Sequence, residues 1–441
     1  MKQAIVVGGG LTGLTAAYRL QKTGWQVTVL EQAERICGRV ITFEKNGYLI
    51  DGCATSISSN YLSYVALIKE VGLADQLTDA SNTFGVVRDG RVHYVDGLKP
   101  IRSFLATPLM SWSEKLKFVS GALQLKRYLA DAKLADPGRS VVHDHLSISE
   151  VVQECFGPEL TSILMDPLMR VVTFGDVRET TCVELFTGLI SASGSYINVL
   201  GGLETLPRKL AEGLDIHVRC PALRVGRQDN QVAVTFQDAA HHGSETVVVV
   251  DACIITSKFH EAATLCPQIA IEGAALAKFS DPAQSYVVHL GYSVPTTSNN
   301  PAAIALPRRE FPNNPGIFLD HNKAPDRAPK GHSLFTVYYC PEAVPLVRSW
   351  GEEQTLQDAR ALVERFFPEV RGHHDMGNVK FAPYASHIAP TGYFKALGEY
   401  RKNHADADPI QVGGDYYSLP SQETAVAWGD RLARQVIQHH G

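Results

Sequence analysis

The chain begins with a pattern that strongly restricts its fold. An apolar run at residues 4–7 leads directly into the glycine-rich sequence GGGLTG at residues 8–13, and a second apolar run at residues 27–30 leads into Glu31. Strand, glycine-rich turn, helix, strand and acidic residue therefore follow one another in the order of a βαβ unit. We predict a parallel α/β sheet with a Rossmann-type nucleotide site at the first turn.

The spacing of the glycines gives this turn its expected chemistry. Gly8, Gly10 and Gly13 keep the G-x-G-x-x-G spacing, which allows a tight turn, a close approach of the backbone to a pyrophosphate, and close packing of the next helix. Leu11 and Thr12 begin that helix, whose free N–H groups and positive dipole end favour phosphate.

The acidic residue of the unit selects the kind of nucleotide. Glu31 ends the second strand, 23 residues after Gly8, where its carboxylate can accept hydrogen bonds from both hydroxyls of an adenosine ribose. The same carboxylate would repel a 2′-phosphate. The site therefore favours FAD or NAD over NADP. We expect the next residue, Gln32, to belong to it as well.

The segment after this unit resembles the flavin amine oxidase superfamily. In that family the ribose acid is followed by R-x-G-G-R and then by an acidic residue and a glycine; here residues 34–40 read ERICGRV, and Asp-Gly follows at residues 51–52. The resemblance implies that Gly38 and Arg39 lie near the pyrophosphate. It also implies that the later loop, with Ser56, lies near the flavin ring.

Cys37 departs from this motif, because it stands where the family has the first glycine. A side chain would strain any left-handed backbone angle at this position. The thiol could be reactive or linked to the flavin, or it could be a small packed residue, which is the interpretation that we favour.

A second match lies near the C-terminus. Residues 410–429 read IQVGGDYYSLPSQETAVAWG and are similar to the family's closing G-D-Y…P-S-x-E-x-A-V-x-x-G motif. The resemblance implies a strand that ends at the ribityl and phosphate region, and a helix whose first N–H groups stabilise negative charge on the reduced ring. The cofactor contacts implied by this motif are Gly414, Asp415, Glu423, Thr424 and Ala425.

The middle of the chain is less similar to the family, and is closest to its protoporphyrinogen-oxidase-like and desaturase-like branch. Residues 200–206 resemble the segment that leads back to the nucleotide domain, and Ala222 lies where the family passes backbone beside the adenine. Residues 147–174 are similar to the helical part of the substrate domain. The implied fold is α/β, with a Rossmann-type FAD-binding domain interleaved with an α+β substrate-binding domain.

The length of 441 residues suits two domains rather than one simple core. We predict a discontinuous FAD-binding domain and a discontinuous substrate-binding domain that alternate along the chain. The first consists of residues 1–80, 200–260 and 408–441, and the second of residues 81–199 and 261–407.

Composition and charge limit the kinds of partner that this chain is expected to bind. The net charge of −5 and the lack of a basic domain argue against nucleic acid. No apolar run has the length of a transmembrane helix, and the first residues lack the features of a secretory signal. Eight cysteines without a C-x-x-C pair indicate reduced thiols, and the His241-His242 and His373-His374 pairs lack further ligands at metal spacing. We expect a soluble, cytoplasmic protein that binds a small molecule and no metal; the sequence gives no prediction of oligomeric state.

One helical run is predicted to begin at Ser113, which could cap it, and to continue to about Leu134. Apolar residues such as Trp112 and Phe118 alternate there with basic residues such as Lys115. A basic amphipathic helix can lie in a membrane interface, so peripheral membrane contact stays open. An ordinary helix packed over the substrate cavity is the alternative, and we favour it.

Catalysis by hydride transfer needs position, burial and electrostatics from the protein, while the cofactor carries the difficult chemistry. The family places substrate-facing or flavin-facing residues just before the closing motif. We therefore expect His387, Tyr384 and Tyr393 to face the ring, with Tyr416 and Tyr417 next, although each aromatic could equally fill the core. A neutral His387 could accept an amine proton or a substrate hydrogen bond.

Two further charged residues bear on the site. Arg170 lies in an apolar stretch, so it could anchor an acidic substrate group or form an ordinary salt bridge. Lys278 falls near the position of a lysine that holds a water beside flavin N5 in the amine-oxidising branch. Its neighbours do not match that pattern, so we leave it out of the site.

The resemblance implies a FAD-dependent oxidoreductase. It would remove a hydride from a C–N or C–C bond of a mostly apolar small molecule and pass electrons to O2 or another acceptor. One alternative is a redox-neutral flavin-dependent isomerase or mutase. Another is a flavin-free binding protein, like the prenyl-GTPase escort proteins of the same architecture, which the intact motif with Asp415 and Glu423 disfavours.

Overall fold

The computed structural model describes residues 1–53, 56–128, 132–173, 175–238, 243–279, 282–297 and 300–441. Phe174, which ends one predicted helical segment, and the His241-His242 pair lie outside these ranges. The strands are β1 (Gln3–Val7), β2 (Gln26–Glu31), β3 (Thr42–Lys45), β4 (Tyr48–Asp51), β5 (Ile57–Ser58), β6 (Leu77–Asp79), β7 (Thr83–Arg88), β8 (Arg91–Asp96), β9 (Tyr196–Val199), β10 (Asp215–Val218), β11 (Ala222–Gln228), β12 (Gln231–Asp238), β13 (Ser244–Val250), β14 (Ala252–Ile255), β15 (Pro282–Tyr292), β16 (Ala303–Ala305), β17 (Gly316–Leu319), β18 (Ser333–Tyr338), β19 (His374–His387) and β20 (Ile410–Val412). The helices are α1 (Leu11–Lys22), α2 (Leu62–Glu70), α3 (Pro100–Ala106), α4 (Trp112–Leu125), α5 (Ile148–Leu160), α6 (Asp166–Thr173), α7 (Cys182–Ala192), α8 (Thr205–Ala211), α9 (Phe259–Leu265), α10 (Pro267–Glu272), α11 (Val344–Phe366), α12 (Tyr393–Asn403) and α13 (Gln422–His440).

Five parallel strands form the first sheet, in the order β10-β2-β1-β14-β20. Helices α1 and α13 cover the face that carries Ala4 and Val6. The small sheet β11-β12-β13, with α9 and α12, covers the opposite face, which carries Ile5 and Val7. Because both faces are buried, β1 is apolar from Ala4 to Val7 instead of alternating. The glycine-rich turn follows β1 at the centre of this sheet.

The second large sheet has seven strands in the order β19-β15-β18-β17-β16-β7-β8. One of its faces packs against α11. The pairing of β15 with β19 shifts near one end: Ala382 pairs with Ser285, whereas Ser386 pairs with Ala283. Two extra residues of β19 therefore form a bulge, and Pro383 lies inside it, where a residue without an N–H donor is tolerated.

Helices α3 to α7 pack around one apolar cluster beside this sheet. The prediction of a helix from Ser113 to about Leu134 was wrong at both ends, since α4 begins at Trp112 and ends at Leu125. Ser111 is the N-cap, and it forms a capping box with Glu114, three residues later. The box satisfies two free backbone N–H groups at once, so it defines the helix start better than the next serine does.

The predicted fold class, an α/β protein with a Rossmann-type sheet, is confirmed. The five-stranded sheet takes strands from all three segments assigned to the FAD-binding domain, while the boundaries of the two domains stay a prediction. Within the described residues, the structure shows no helix with both the length and the apolar character that crossing a bilayer requires.

Glu184 lies fully buried in α7. Burial raises the pKa of its carboxyl group well above the ordinary value; a backbone N–H of Ala389 opposes this shift and the charge of Asp144 adds to it. The folded state therefore holds a proton that the unfolded state releases. The stability that this proton provides is complete below the ordinary pKa and is lost as the pH rises towards the pKa of the folded state.

Replacing Glu184 by glutamine is expected to stabilise the protein at pH 8 relative to pH 5. The free energy of unfolding of E184Q minus that of the wild type should grow by at least about 1.4 kcal/mol between these pH values, which corresponds to one pKa unit. Denaturant unfolding at both pH values measures this difference. E179Q, at an exposed position, is the matched control and should show no such growth. An equal difference at both pH values for E184Q would mean that Glu184 is ionised in the fold.

Candidate active site

One continuous cavity of about 1700 Å³ runs from the glycine-rich turn to the helices α3 to α6. Pockets for a single small molecule are commonly about 300–1,000 Å³, so this cavity has room for more than one ligand. It lies between the carboxyl ends of the parallel strands β1 and β2, one end of β19, and the helical cluster. The residues that the sequence assigns to nucleotide binding and an apolar chamber thus share one space.

The glycines of the turn take distinct positions. Gly8 has a positive φ of 108°, and its N–H donates to the Leu30 carbonyl at 2.8 Å. A methyl group on Gly13 would lie 1.9 Å from the Gly8 carbonyl oxygen, so this position needs glycine for close packing of α1 on the turn. A methyl group on Gly10 would meet nothing within 4 Å, because Gly10 faces the cavity. The start of α1 has no side-chain cap, which leaves its first N–H groups free for an anion.

Glu31 lies at the edge of the cavity and is 8% exposed. Its two carboxylate oxygens accept hydrogen bonds from the backbone N–H groups of Gly9 and Ala33, each at 2.8 Å. An ionised carboxylate offers about four acceptor sites. Two backbone bonds therefore fix its orientation and leave acceptors for two hydroxyl groups.

Arg39 and Asp415 join the two ends of the chain at the cavity wall. The Arg39 guanidinium donates to the Asp415 carboxylate at 2.8 Å. The same guanidinium lies 4.9 Å from the ring centre of Tyr384, and the Lys258 ammonium lies 4.5 Å from that ring centre. The ring of Tyr384 is thus held by two cations where the bulge of β19 brings it into the cavity.

Cys37 has a positive φ of 81°, and its side chain is fully buried. Burial raises the pKa of its thiol to about 12, and the nearby Glu204 carboxylate adds to the shift. The thiol therefore stays protonated at neutral pH, and the thiolate is the reactive form. The geometry agrees with a small packed residue held in a left-handed conformation.

Replacing Cys37 by glycine is expected to give a protein about 1 kcal/mol more stable than its replacement by alanine, because alanine is strained at this φ and glycine is not. At ordinary positions the order is the reverse, with glycine roughly 0.5–1 kcal/mol less stable. Denaturant unfolding of C37G and C37A measures the order. Both variants lose the thiol, so each is the control for the other, and a more stable C37A would contradict the strain.

The closing helix α13 begins after its N-cap Ser421, whose hydroxyl accepts from the Thr424 N–H at 3.1 Å. The Glu423 carboxylate turns away from the cavity. It accepts from the N–H groups of Ser63 and Tyr64, at 3.0 and 2.9 Å, and so caps the start of α2. Glu423 therefore joins two helices. The residues at the start of α13 that line the cavity are Ser421, Gln422 and Ala425.

Most of the predicted cofactor contacts meet in this one cavity. The residues that line it are Gly8, Gly10, Leu11, Thr12, Glu31, Gln32, Gly38, Arg39, Ser56, Ala222, Asp415 and Ala425. Those that support the lining without forming part of it are Gly13, Gly414, Glu423 and Thr424.

The predicted catalytic aromatics divide into two layers. Tyr384 and Tyr416 line the large cavity. His387 and Tyr393 lie behind them, in a small pocket on the other side of the same two rings. Burial lowers the pKa of His387 to about 4, with the Asp415 carboxylate opposing the shift, so its imidazole is neutral. The structure does not bring His387 or Tyr393 to the wall of the large cavity.

Within this second layer, the rings of His387 and Tyr393 lie 4.5 Å apart. The Tyr393 hydroxyl donates to the Tyr416 carbonyl at 2.9 Å. The layer therefore supports the aromatic wall by contact and by hydrogen bonding. Tyr417, which was also considered, is buried and donates to the Val412 carbonyl at 2.7 Å.

Arg170 does not line the cavity, contrary to the expectation of a substrate anchor, although its neighbours Met169 and Val171 do. Its guanidinium donates to the carbonyl oxygens of Leu306, Phe311 and Pro312 and to the Cys340 thiol, at 2.9 to 3.4 Å. These contacts hold α6 to the loops beside the seven-stranded sheet. The charge in an apolar stretch is thus accommodated by backbone oxygens.

Three lysines that the sequence did not single out line the cavity: Lys258, Lys323 and Lys380. Lys323 is 2% exposed and donates to Asp320 at 2.5 Å. Lys278, in contrast, is exposed and lies outside the cavity lining. The signal for Lys380 was its position four residues before Tyr384 in an otherwise apolar part of a strand, since alternate residues of a strand share one face.

Lys380 lies against the loop that the resemblance places near the flavin ring. A methyl group on Gly52 would lie 3.2 Å from its Nζ atom. Burial lowers the pKa of the Lys380 ammonium group below its ordinary value, although the nearby Cys53 thiol opposes the shift. The lowered pKa makes this ammonium group a better proton donor than an ordinary lysine, and its N–H groups can donate hydrogen bonds.

The far end of the cavity is apolar. Its walls are side chains of α3 to α6, the π-helical turn before α6, and β16 to β18. Among the described residues these include Phe104, Leu109, Met110, Phe118, Phe156, Leu164, Met165, Leu168, Met169 and Phe318. Such a chamber suits a large, mostly apolar ligand.

Comparison with known proteins agrees with this geometry. The family model of flavin containing amine oxidoreductases matches residues 11–437. Protoporphyrinogen oxidase 2 of Arabidopsis thaliana is 26% identical over 203 residues, which are 46% of this chain and 38% of that protein. Coproporphyrinogen III oxidase of Bacillus subtilis is 24% identical over 220 residues, 46% of this chain and 43% of that protein. The matched region thus spans less than half the length of these curated relatives.

Solved structures show the same fold. Cyclohexylamine oxidase from Brevibacterium oxydans superimposes with a TM-score of 0.77 over 99% of both chains, at 14% identity. The chain belongs to the flavin-containing amine oxidoreductase family, whose members bind FAD, and FAD is its cofactor. The open position at Gly10 and the two remaining acceptors of Glu31 fit the pyrophosphate and ribose of that cofactor.

Proposed function

We propose that this protein is a FAD-dependent oxidoreductase that removes a hydride from a C–N or C–C bond of a mostly apolar small molecule and passes the electrons to O2 or another acceptor. The observation that carries the proposal is the single cavity that joins the nucleotide-binding residues to an apolar chamber. A cofactor and a substrate in the same space can react directly, without a carrier between them.

FAD supplies the hydride acceptor when it is bound, and the residues of the chain supply position and charge. We propose that Gly10 and the start of α1 hold the pyrophosphate, while Glu31 holds the ribose. Tyr384 and Tyr416 form the wall that orients the substrate, and the apolar chamber excludes water from the reacting bond. The free N–H groups at the start of α13 stabilise negative charge that develops during the reaction. His387 acts as a positioning residue behind that wall.

We propose that Lys380 donates a hydrogen bond or transfers a proton at the reacting end of the substrate. K380M is expected to slow anaerobic reduction of the flavin by about 10²-fold, the usual contribution of a positioned acid or base, while the flavin content stays at the wild-type level. K278M removes an exposed lysine outside the cavity and should reduce at the wild-type rate. Stopped-flow absorbance measures both, and a wild-type rate for K380M would remove Lys380 from the reaction.

The test of the proposal is anaerobic bleaching of the bound flavin, followed by visible absorbance. The substrates to compare are primary and cyclic amines, amino acids and a porphyrinogen. Bleaching by one class identifies the reaction as oxidation and the bond as C–N or C–C. A redox-neutral isomerase would be supported instead by two results together: dithionite reduces the flavin but none of these substrates does, and a substrate is rearranged. Protein that purifies folded without flavin and binds none when FAD is added would support an escort-type binding protein.

A further inference from the structure

Helix α4 exposes an apolar stripe. Trp112, Leu116, Val119 and Leu123 are each 50–72% exposed. Their spacing of four, three and four residues places them on one face of the helix. Single exposed apolar residues are ordinary, but four in a row on one face mark a surface that contacts something other than water.

Helix α3 extends this surface. Ile101 and Leu105 are exposed, and the Lys115 ammonium donates to the Leu105 carbonyl at 2.7 Å, which holds the end of α3 against α4. The rings of Phe104 and Phe118 pack 5.1 Å apart between the two helices. The six exposed residues of this surface, which we call the apolar rim, are Ile101, Leu105, Trp112, Leu116, Val119 and Leu123.

The apolar rim surrounds an opening of the active-site cavity. Ile101, Leu105, Val119 and Leu123 are exposed and also line the cavity. The apolar surface on the outside is thus continuous with the apolar chamber inside. A molecule that enters through this opening passes the apolar side chains of the rim.

The charge around the rim is opposite to that of the whole protein. Residues 97–127 contain six basic residues and a single acidic one, a net charge of +5, whereas the chain has −5. The one acidic residue, Glu114, is buried in the capping box of α4. The basic residues that stand exposed beside the rim are Lys99, Arg102, Lys117 and Lys126. Arg127 is also exposed, and it pairs with Glu154 of α5 at 3.4 Å.

We propose that the apolar rim docks on the surface of a lipid bilayer that contains anionic phospholipid, with the opening of the cavity against the bilayer. The exposed apolar side chains enter the boundary between headgroups and acyl chains, and the surrounding basic residues pair with anionic headgroups. A second copy of this chain fits the rim poorly, because a symmetric contact would bring the exposed basic residues of two copies together.

The docking deepens the proposed function without being required for it. If the protein oxidises an apolar molecule, that molecule can pass from the bilayer through the rim into the chamber. This route rests on the proposed function, whereas docking itself does not involve the chemistry. Vesicle binding and flavin bleaching are separate measurements, so failure of one is distinguishable from failure of the other.

The test is co-sedimentation of the FAD-loaded protein with phosphatidylcholine vesicles, with and without phosphatidylglycerol. The wild type should bind the vesicles that contain phosphatidylglycerol, and salt should weaken this binding. The double variant L116E/L123E should bind these vesicles at least about tenfold more weakly than the wild type, because it places two negative charges in the docking face. I271E is the matched control: Ile271 is 80% exposed on α10, outside the rim, and its replacement should leave binding unchanged.

Flavin absorbance and thermal unfolding of each variant establish that the fold is intact before binding is compared. A wild type that stays in solution with both kinds of vesicle would overturn the proposal, and so would equal binding by L116E/L123E. A concentration-dependent dimer in analytical ultracentrifugation that L116E/L123E abolishes would assign the rim to a second copy instead of a bilayer.

Discussion

Replacing Glu31 by alanine is expected to give a folded protein that purifies with little or no FAD. The Glu31 carboxylate is oriented by the N–H groups of Gly9 and Ala33 and has acceptors left for the two hydroxyls of a ribose. Hydrogen bonds to a charged group contribute about 1.5–3 kcal/mol each. Loss of both ribose contacts should therefore lower FAD affinity by at least about 10²-fold.

The measurement is the ratio of flavin to protein absorbance after purification, followed by titration of the apoprotein with FAD. E34A is the matched control, because the Glu34 side chain is 73% exposed and pairs with Arg219 on the surface. E34A should keep its flavin. Full retention of flavin by E31A would remove Glu31 from the ribose site, whereas loss of flavin by both variants would point to a general weakening of this region.

The nucleotide end of the site could be predicted from the sequence because its information is local. The glycine spacing, the strand before it and Glu31 at the end of the next strand all lie within one βαβ unit. Short-range steric rules decide the conformation of such a unit, so the pattern of residues is almost sufficient. The left-handed angle at Cys37 was foreseeable for the same reason, since the family has glycine there.

The sequence did not predict contacts whose partner comes from a distant part of the chain. The motif placed the N–H groups at the start of α13, near Glu423, beside the cofactor, and gave no sign that the Glu423 carboxylate caps α2, some 360 residues earlier in the sequence. Arg170 was weighed as a substrate anchor or salt bridge, yet carbonyl oxygens of a remote loop surround it. Neither contact leaves a trace in the local sequence, because hydrogen-bond donors and acceptors of the backbone are present at every residue.

The aromatic side chains beside the cavity were difficult to predict for a different reason. The segment from Tyr384 to Tyr393 was predicted to face the flavin or the substrate, and a bulge in β19 decides which of its side chains enter the cavity. Tyr384 lies in the cavity, whereas His387 lies behind it. A bulge changes the alternation of faces by the insertion of residues, and its position depends on the partner strand rather than on the segment itself.

The second and third glycines of the motif, Gly10 and Gly13, are expected to fail in opposite ways when each is replaced by alanine. A methyl group on Gly13 would lie 1.9 Å from the Gly8 carbonyl oxygen and 2.8 Å from the Thr256 hydroxyl. The first of these is a backbone atom in the tightest part of the turn and cannot move aside. G13A should therefore lose stability as the apoprotein, by about 3 kcal/mol or more, the upper end of the cost of overpacking.

Gly10 is the counterpart, because its φ of −78° suits any residue and a methyl group there meets no protein atom. G10A apoprotein should unfold at the wild-type temperature but bind FAD at least about tenfold more weakly, since the methyl group occupies the space where the backbone approaches the pyrophosphate. Thermal unfolding of the apoproteins and titration with FAD separate the two effects. If G10A binds FAD normally, the pyrophosphate lies elsewhere in the cavity; if G13A keeps its stability, α1 can shift away from the turn without loss.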